Sequence, residues 1–159
     1  VTIFALTALA CLPASAEDFE FQDQENNLAA LAAITATSED GGHVARNLQD
    51  NNPYSLWQAE GTEAEIELDL GSVETIGKVE IYIPPQFETP RRYQMTVGHS
   101  QDGAEYEDVV TDEQIELHVG KQNRHVFDLD GVEARFVRII IHDYAPGEQA
   151  QLSQVRVLK

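Results

Sequence analysis

A chain of 159 residues, 42% of them hydrophobic, has the apolar content for one domain with a real core and too little length for two. Twenty-eight Asp and Glu against ten Lys and Arg give a formal net charge of -18 at pH 7, and so a strongly negative surface potential. That field argues against nucleic acid as a partner, since phosphate binding needs clustered cations and the only adjacent basic pair is Arg91-Arg92, and against insertion into anionic lipid.

Residues 1–16, VTIFALTALACLPASA, carry no charge, run apolar from Ile3 to Leu12 and end on Ala14-Ser15-Ala16. This pattern predicts a secretory signal peptide with an A-x-A cleavage site, hence a secreted, extracellular or periplasmic protein starting near Glu17. The apolar run is too short for a membrane span. Cys11 after Ala8-Leu9-Ala10 leaves open a second reading, a lipid anchor. Because Cys11 is the sole cysteine, cleavage after Ala16 removes both disulfide and thiolate chemistry. Residues 17–32 open with EDFEFQDQENN, acidic, amide-rich and aperiodic, and read as a leader or linker. LAALAAI from Leu28 then feeds the first strand of a domain over residues 33–159.

From there strand signals dominate. AEIELDL places Ile66, Leu68 and Leu70 on one face and Glu65, Glu67 and Asp69 on the other, the alternation of a half-buried strand. KVEIYI and YQMTV repeat it, and EYEDVV, QIELHV, HVFDL, RFVRIIIH and QVRVL follow, separated by turn clusters such as Gln101-Asp102-Gly103 and Asp130-Gly131. Short strands at this spacing predict an all-β sandwich or jelly roll with little helix. Pro84-Pro85 closes its strand and begins a loop, PPQFETPRR.

The segment NLQDNNPYSLW, Asn47 to Trp57, gathers side-chain and backbone oxygens before the only tryptophan. Two readings stay open: an Asx-rich turn, or an oxygen cage for a hard cation. Trp57 itself reads as core. No catalytic constellation stands out. His43, His99, His118, His125 and His142 lack zinc-site spacing, and there is no G-x-S-x-G elbow or Gly-rich phosphate loop. His99-Ser100 with Asp102 is a turn rather than a triad, because successive strand side chains point to opposite faces. The chain is therefore expected not to be an enzyme.

ARNLQDNNPYSLWQA, AEIELDLGSVETIGKVEIY, VGHSQDGAEYEDV, ARFVRIIIHD and LSQVRV, in that order, resemble the blocks of a discoidin domain, the coagulation factor V/VIII type C fold, whose bacterial members include family 32 carbohydrate-binding modules. The resemblance runs from about Ile34 to Leu158. It implies an eight-stranded jelly roll, in agreement with the strand count. It also implies a structural calcium ion at the turn before Trp57, with Asp50, Asn52 and Ser55 as ligands, carbonyl oxygen near Asn47, and Gln154 where the family supplies glutamate. An amide there removes a negative charge and implies weaker binding. Ser55 stands where threonine is common.

The resemblance further implies glycan binding in loops at one end of the sandwich, where an aromatic ring stacks on the sugar and polar groups meet its hydroxyls. Three loops supply candidates: SEDGGHV with His43, PPQFETPRR with Phe87, Glu88, Arg91 and Arg92, and HDYAPGEQAQ with Tyr144, Glu148 and Gln149. The family's arginine position falls here on Pro85, leaving Arg91 or Arg92 to substitute from the far end of the loop. The expected partner is a glycan or cell-surface polysaccharide. The alternative is an adhesion domain that binds a protein partner through the same loops without sugar.

Overall fold

The computed structural model describes residues 21–120, 123–142 and 148–159; residues 1–16, expected to form a signal peptide, lie outside these. Among the described residues are eight strands: β1 (Ala33–Ala36), β2 (Trp57–Gln58), β3 (Ala64–Tyr82), β4 (Arg91–Ser100), β5 (Glu107–Leu117), β6 (Arg124–His142), β7 (Gln151–Leu152) and β8 (Gln154–Leu158). Helical structure among them is confined to three short 3-10 turns, at Gln24–Asn26, Leu28–Leu31 and Ala45–Gln49. All pairings are antiparallel. The main sheet runs β1-β3-β6-β4-β5 with β8 added on β3, and β2 pairs with β7 separately.

Two of the expected strand pairs are fused. AEIELDL and KVEIYI are the two ends of the single strand β3, and HVFDL and RFVRIIIH are the two ends of β6. The ladder between them shifts register between Asp69 and Glu74 and again between Ile76 and Lys78. Gly71, Asp130 and Gly131 sit there at positive φ, of 83°, 53° and 77°. The residues that look like turn punctuation are thus bulges that bend a continuous ribbon. One end of β3 pairs with β1 and the other with β8, so a single hairpin serves both layers of the jelly roll. EYEDVV and QIELHV are likewise joined in β5, where Asp112 at φ 52° accompanies the irregularity between Met95 and Val97 of the partner strand.

The core lies between the layers. Ile66, Leu68, Val137 and Ile139 from one end of the ribbon belong to one apolar cluster with Val79, Ile81, Phe127 and Leu129 from the other end and Val155 and Val157 of β8. Trp57 is fully buried in it, and its indole N–H donates to the Ser38 carbonyl at 3.0 Å, which satisfies the one polar atom of the ring.

The stretch expected as a leader is part of this unit where it is described. Phe21 is buried, packing edge-on to Tyr82 with ring centroids 5.0 Å apart, and Ala29 and Ala32 belong to the core. Asn27 bridges to Leu158, and its side-chain oxygen accepts from the Val157 N–H at 3.2 Å. Every residue of β8 is buried, one face by the core and the other by this strap and by the turn Asn47–Asn52 that Gln154 enters. An aperiodic acidic composition gave no sign of it, because three buried side chains, Phe21, Ala29 and Ala32, are enough to dock so short a segment.

Candidate functional site

The 3-10 turn Ala45–Gln49 joins two clusters of polar groups. Its first N–H, from Ala45, is capped by Glu39 Oε1 at 2.8 Å, which ties it to the loop 38–43. Its last residues lead into the oxygen-rich turn.

At the first cluster the pairing of β2 with β7 sets Gln58 opposite Gln151. Gln151 Nε2 donates to Gln58 Oε1, and Gln58 Nε2 donates to Gln149 Oε1 at 3.0 Å and to Asp40 Oδ2 at 2.7 Å. Gln149 Nε2 returns to Asp40 Oδ2 at 3.0 Å. Arg91 closes the chain, reaching Gln151 Oε1 at 2.9 Å and Glu148 Oε2 at 3.2 Å while its guanidinium lies 4.7 Å from the centre of the half-buried Phe87 ring. Amide donors from Gln149 and then Gln58 hold the Asp40 carboxyl below its ordinary value. Tyr93 supports the platform from beneath: burial pushes its hydroxyl up to about 12, and the hydroxyl donates to the Gln151 carbonyl at 2.8 Å.

Of the residues expected here, Phe87, Arg91 and Glu148 converge, with Glu88 exposed on the same loop and His43 exposed beside Asp40, to which it is bridged through the backbone. Arg92 does not join them. Neighbouring strand residues point to opposite faces, and Arg92 turns to Glu116 of β5, with Nε 2.6 Å from Oε2. Tyr144 lies outside the described residues. Asp40, Gln58 and Gln151 are the members that sequence reasoning missed. Nothing in their spacing marks them, since only the β2-β7 pairing and the loop return bring them together.

At the second cluster the expected metal residues Asn47, Asp50, Asn52, Ser55 and Gln154 do meet. The turn is built from nested Asx bonds, Asn52 N–H to Asp50 Oδ1 at 2.9 Å and Tyr54 N–H to Asn52 Oδ1 at 3.0 Å, around Asn51 at φ 61°. Those bonds occupy the Asn52 side chain, so Asn52 contributes its backbone carbonyl to the cluster. Asn47 does the same, because its side-chain amide is spent on the Leu56 carbonyl at 2.8 Å. Gln154 projects from the buried strand β8 into the middle. Its Nε2 lies 2.7 Å from Asp50 Oδ1, 3.0 Å from the Asn47 carbonyl and 3.2 Å from the Asn52 carbonyl. The Ser55 hydroxyl donates to Asp50 Oδ2 at 2.7 Å.

This arrangement does not fit the calcium ion that the resemblance implies. Calcium takes about six to eight oxygens at about 2.3–2.6 Å, whereas the atom among these oxygens is an amide nitrogen at hydrogen-bond distances. With no cation among these oxygens, turning the amide over would face Gln154 Oε1 with three acceptors and no proton between them, so the inward nitrogen is the orientation that satisfies the metal-free turn. Asp50 is the single carboxylate in the set.

A model of the F5/8 type C domain matches residues 33–154. No curated protein sequence matches the chain significantly. Among solved structures, the chain is similar to a family 32 carbohydrate-binding module of Clostridium perfringens in complex with GalNAc-β-1,3-galactose, with 17% identity and a TM-score of 0.68 over 84% of this chain and 99% of that one. It is also similar to a fucose-binding module of Streptococcus pneumoniae, with 19% identity and a TM-score of 0.63 over 84% of this chain and 97% of that one. A Ruminococcus gnavus GH29 fucosidase in complex with fucose gives 21% identity and a TM-score of 0.72 over 86% of this chain and 27% of that one. At these identities the likeness is one of fold. The family match starts at β1 and ends within β8, spanning the whole bent ribbon and both polar clusters, and the chain belongs to the F5/8 type C domain family.

Proposed function

We propose that the chain is a non-catalytic glycan-binding module that seats a sugar on the rim formed by Phe87, Arg91, Glu148, Gln149 and Asp40. The observation that carries the reading is the rim itself. A half-buried aromatic ring stands beside a row of amide, carboxylate and guanidinium groups, the combination that meets the apolar face and the hydroxyls of a pyranose. Arg91 is already paired with Glu148 and the Asp40 carboxylate is left over, so the rim is net negative and favours neutral over polyanionic saccharides, in keeping with the overall charge of -18. The similar structures in complex with GalNAc-β-1,3-galactose and with fucose support the substrate class. The expected signal peptide supports a site of action outside the cytoplasm, where such glycans are displayed.

Affinity electrophoresis and a glycan array test this reading. The protein is expected to be retained by at least one neutral polysaccharide or oligosaccharide. Arg91→Ala should weaken binding by about tenfold, the scale of one or two lost hydrogen bonds, while Arg92→Ala on the opposite face leaves it unchanged. Absence of retention on every glycan, or equal loss in both variants, would remove the rim as the binding site.

A further inference from the structure

We propose that the side-chain amide of Gln154 takes the place of a metal ion in this domain, so that the turn before Trp57 is held without calcium. In an oxygen cage, the carbonyls of Asn47 and Asn52 and the Asp50 carboxylate repel one another unless something positive lies between them. A cation supplies that positive charge in one way, and two N–H groups supply it in another. Here Gln154 Nε2 reaches all three oxygens at 2.7 to 3.2 Å, and the Ser55 hydroxyl takes the remaining Asp50 oxygen at 2.7 Å.

The amide is well placed to hold this position. Gln154 is only 2% exposed and sits on β8, which is paired with β3 through Tyr82 and covered on both faces. Its nitrogen is thus delivered to the turn by a rigid strand, and ordering it costs little further entropy. The charge balance agrees. One carboxylate met by neutral donors leaves a cluster of charge -1, whereas glutamate at the same position would put two carboxylates within reach of each other and require a cation. The single difference between amide and acid at residue 154 therefore decides whether the turn depends on metal.

The experiment compares thermal melting and isothermal calcium titration for the wild type, Gln154→Glu and Asp50→Asn at about 150 mM salt. The wild type is expected to melt at the same temperature in EDTA and in millimolar calcium. Gln154→Glu should lose stability in EDTA and regain it with calcium, binding the ion roughly tenfold or more tightly than the wild type does and melting about 5 °C or more higher once calcium exceeds its Kd about a hundredfold. One-to-one calcium uptake by the wild type that disappears in Asp50→Asn would overturn the proposal. A folded Gln154→Glu that melts identically with and without calcium would overturn it too, since the oxygens would then form no cation cage. Should Gln154→Glu fail to fold in either condition, the wild-type titration alone decides.

Discussion

Asp69 shows how much one side chain can depend on its partner. Arg135 grips it with two parallel bonds, at 2.7 and 2.8 Å, and the Gly71 N–H adds a third at 2.8 Å, which together hold its carboxyl at about 2 instead of 3.8. A depressed carboxyl pKa means stability that is present above pH 3.8 and lost as the pH falls through about 2. Urea titrations at graded pH should find Asp69→Asn less stable than the wild type at pH 7, with the gap shrinking below pH 3.8 and closing near pH 2; the pair is partly exposed, so the gap will be modest. Trp57 is the opposite case, a residue whose role is packing. Its burial and its bond to the Ser38 carbonyl predict that Trp57→Ala costs about 3–5 kcal/mol, measurable by denaturant unfolding followed by circular dichroism.

Among the elements, the strap of residues 21–32 and strand β8 form one stabilising unit. Glu80 on β3 is 1% exposed and Arg156 on β8 is 2% exposed, with Nη1 to Oε2 at 3.0 Å. Burial alone would raise the Glu80 pKa, but the Tyr82 hydroxyl, Lys78 and Arg156 outweigh it and hold the carboxyl below its ordinary value. The strap covers this group: the Arg156 guanidinium also donates to the Gln22 carbonyl and lies 5.5 Å from the centre of the Phe21 ring. Glu80→Ala leaves a buried guanidinium without its carboxylate and is expected to cost about 3–5 kcal/mol in urea unfolding. Phe21→Ala should cost about 3 kcal/mol and should also speed amide exchange in β8, because water then reaches its outer face. If hydrogen exchange in Gln154–Leu158 is unaltered by Phe21→Ala, the strap does not protect the strand.

For the molecule as a whole, a net charge of -18 means self-repulsion that the compact state must bear. Raising sodium chloride from about 10 mM to about 150 mM shortens the Debye length from roughly 30 to 8 Å, so the melting temperature should climb over that range and then level off. A melting temperature flat in salt would show the charges to be spaced too widely to matter. Under the proposed function the same field weights the rim toward neutral ligands. Alternation in AEIELDL, KVEIYI and YQMTV was enough to determine an all-β sandwich, because a period of two commits one face of each segment to the core whatever it packs against. Block order was enough to determine the family, and oxygen-rich composition was enough to bring Asn47, Asp50, Asn52 and Ser55 into one turn. Tertiary structure decided the rest, for reasons of direction and pairing that no local pattern contains. It fused Gly71 and Asp130-Gly131 into a bent ribbon, because whether a positive-φ residue ends a strand or bulges it depends on the neighbouring strand. It sent Arg91 to the rim and Arg92 to Glu116, assembled Gln58 with Gln151, and aimed an amide nitrogen rather than an oxygen into the turn, since hydrogen-bond partners distant in sequence choose which atom of Gln154 faces inward.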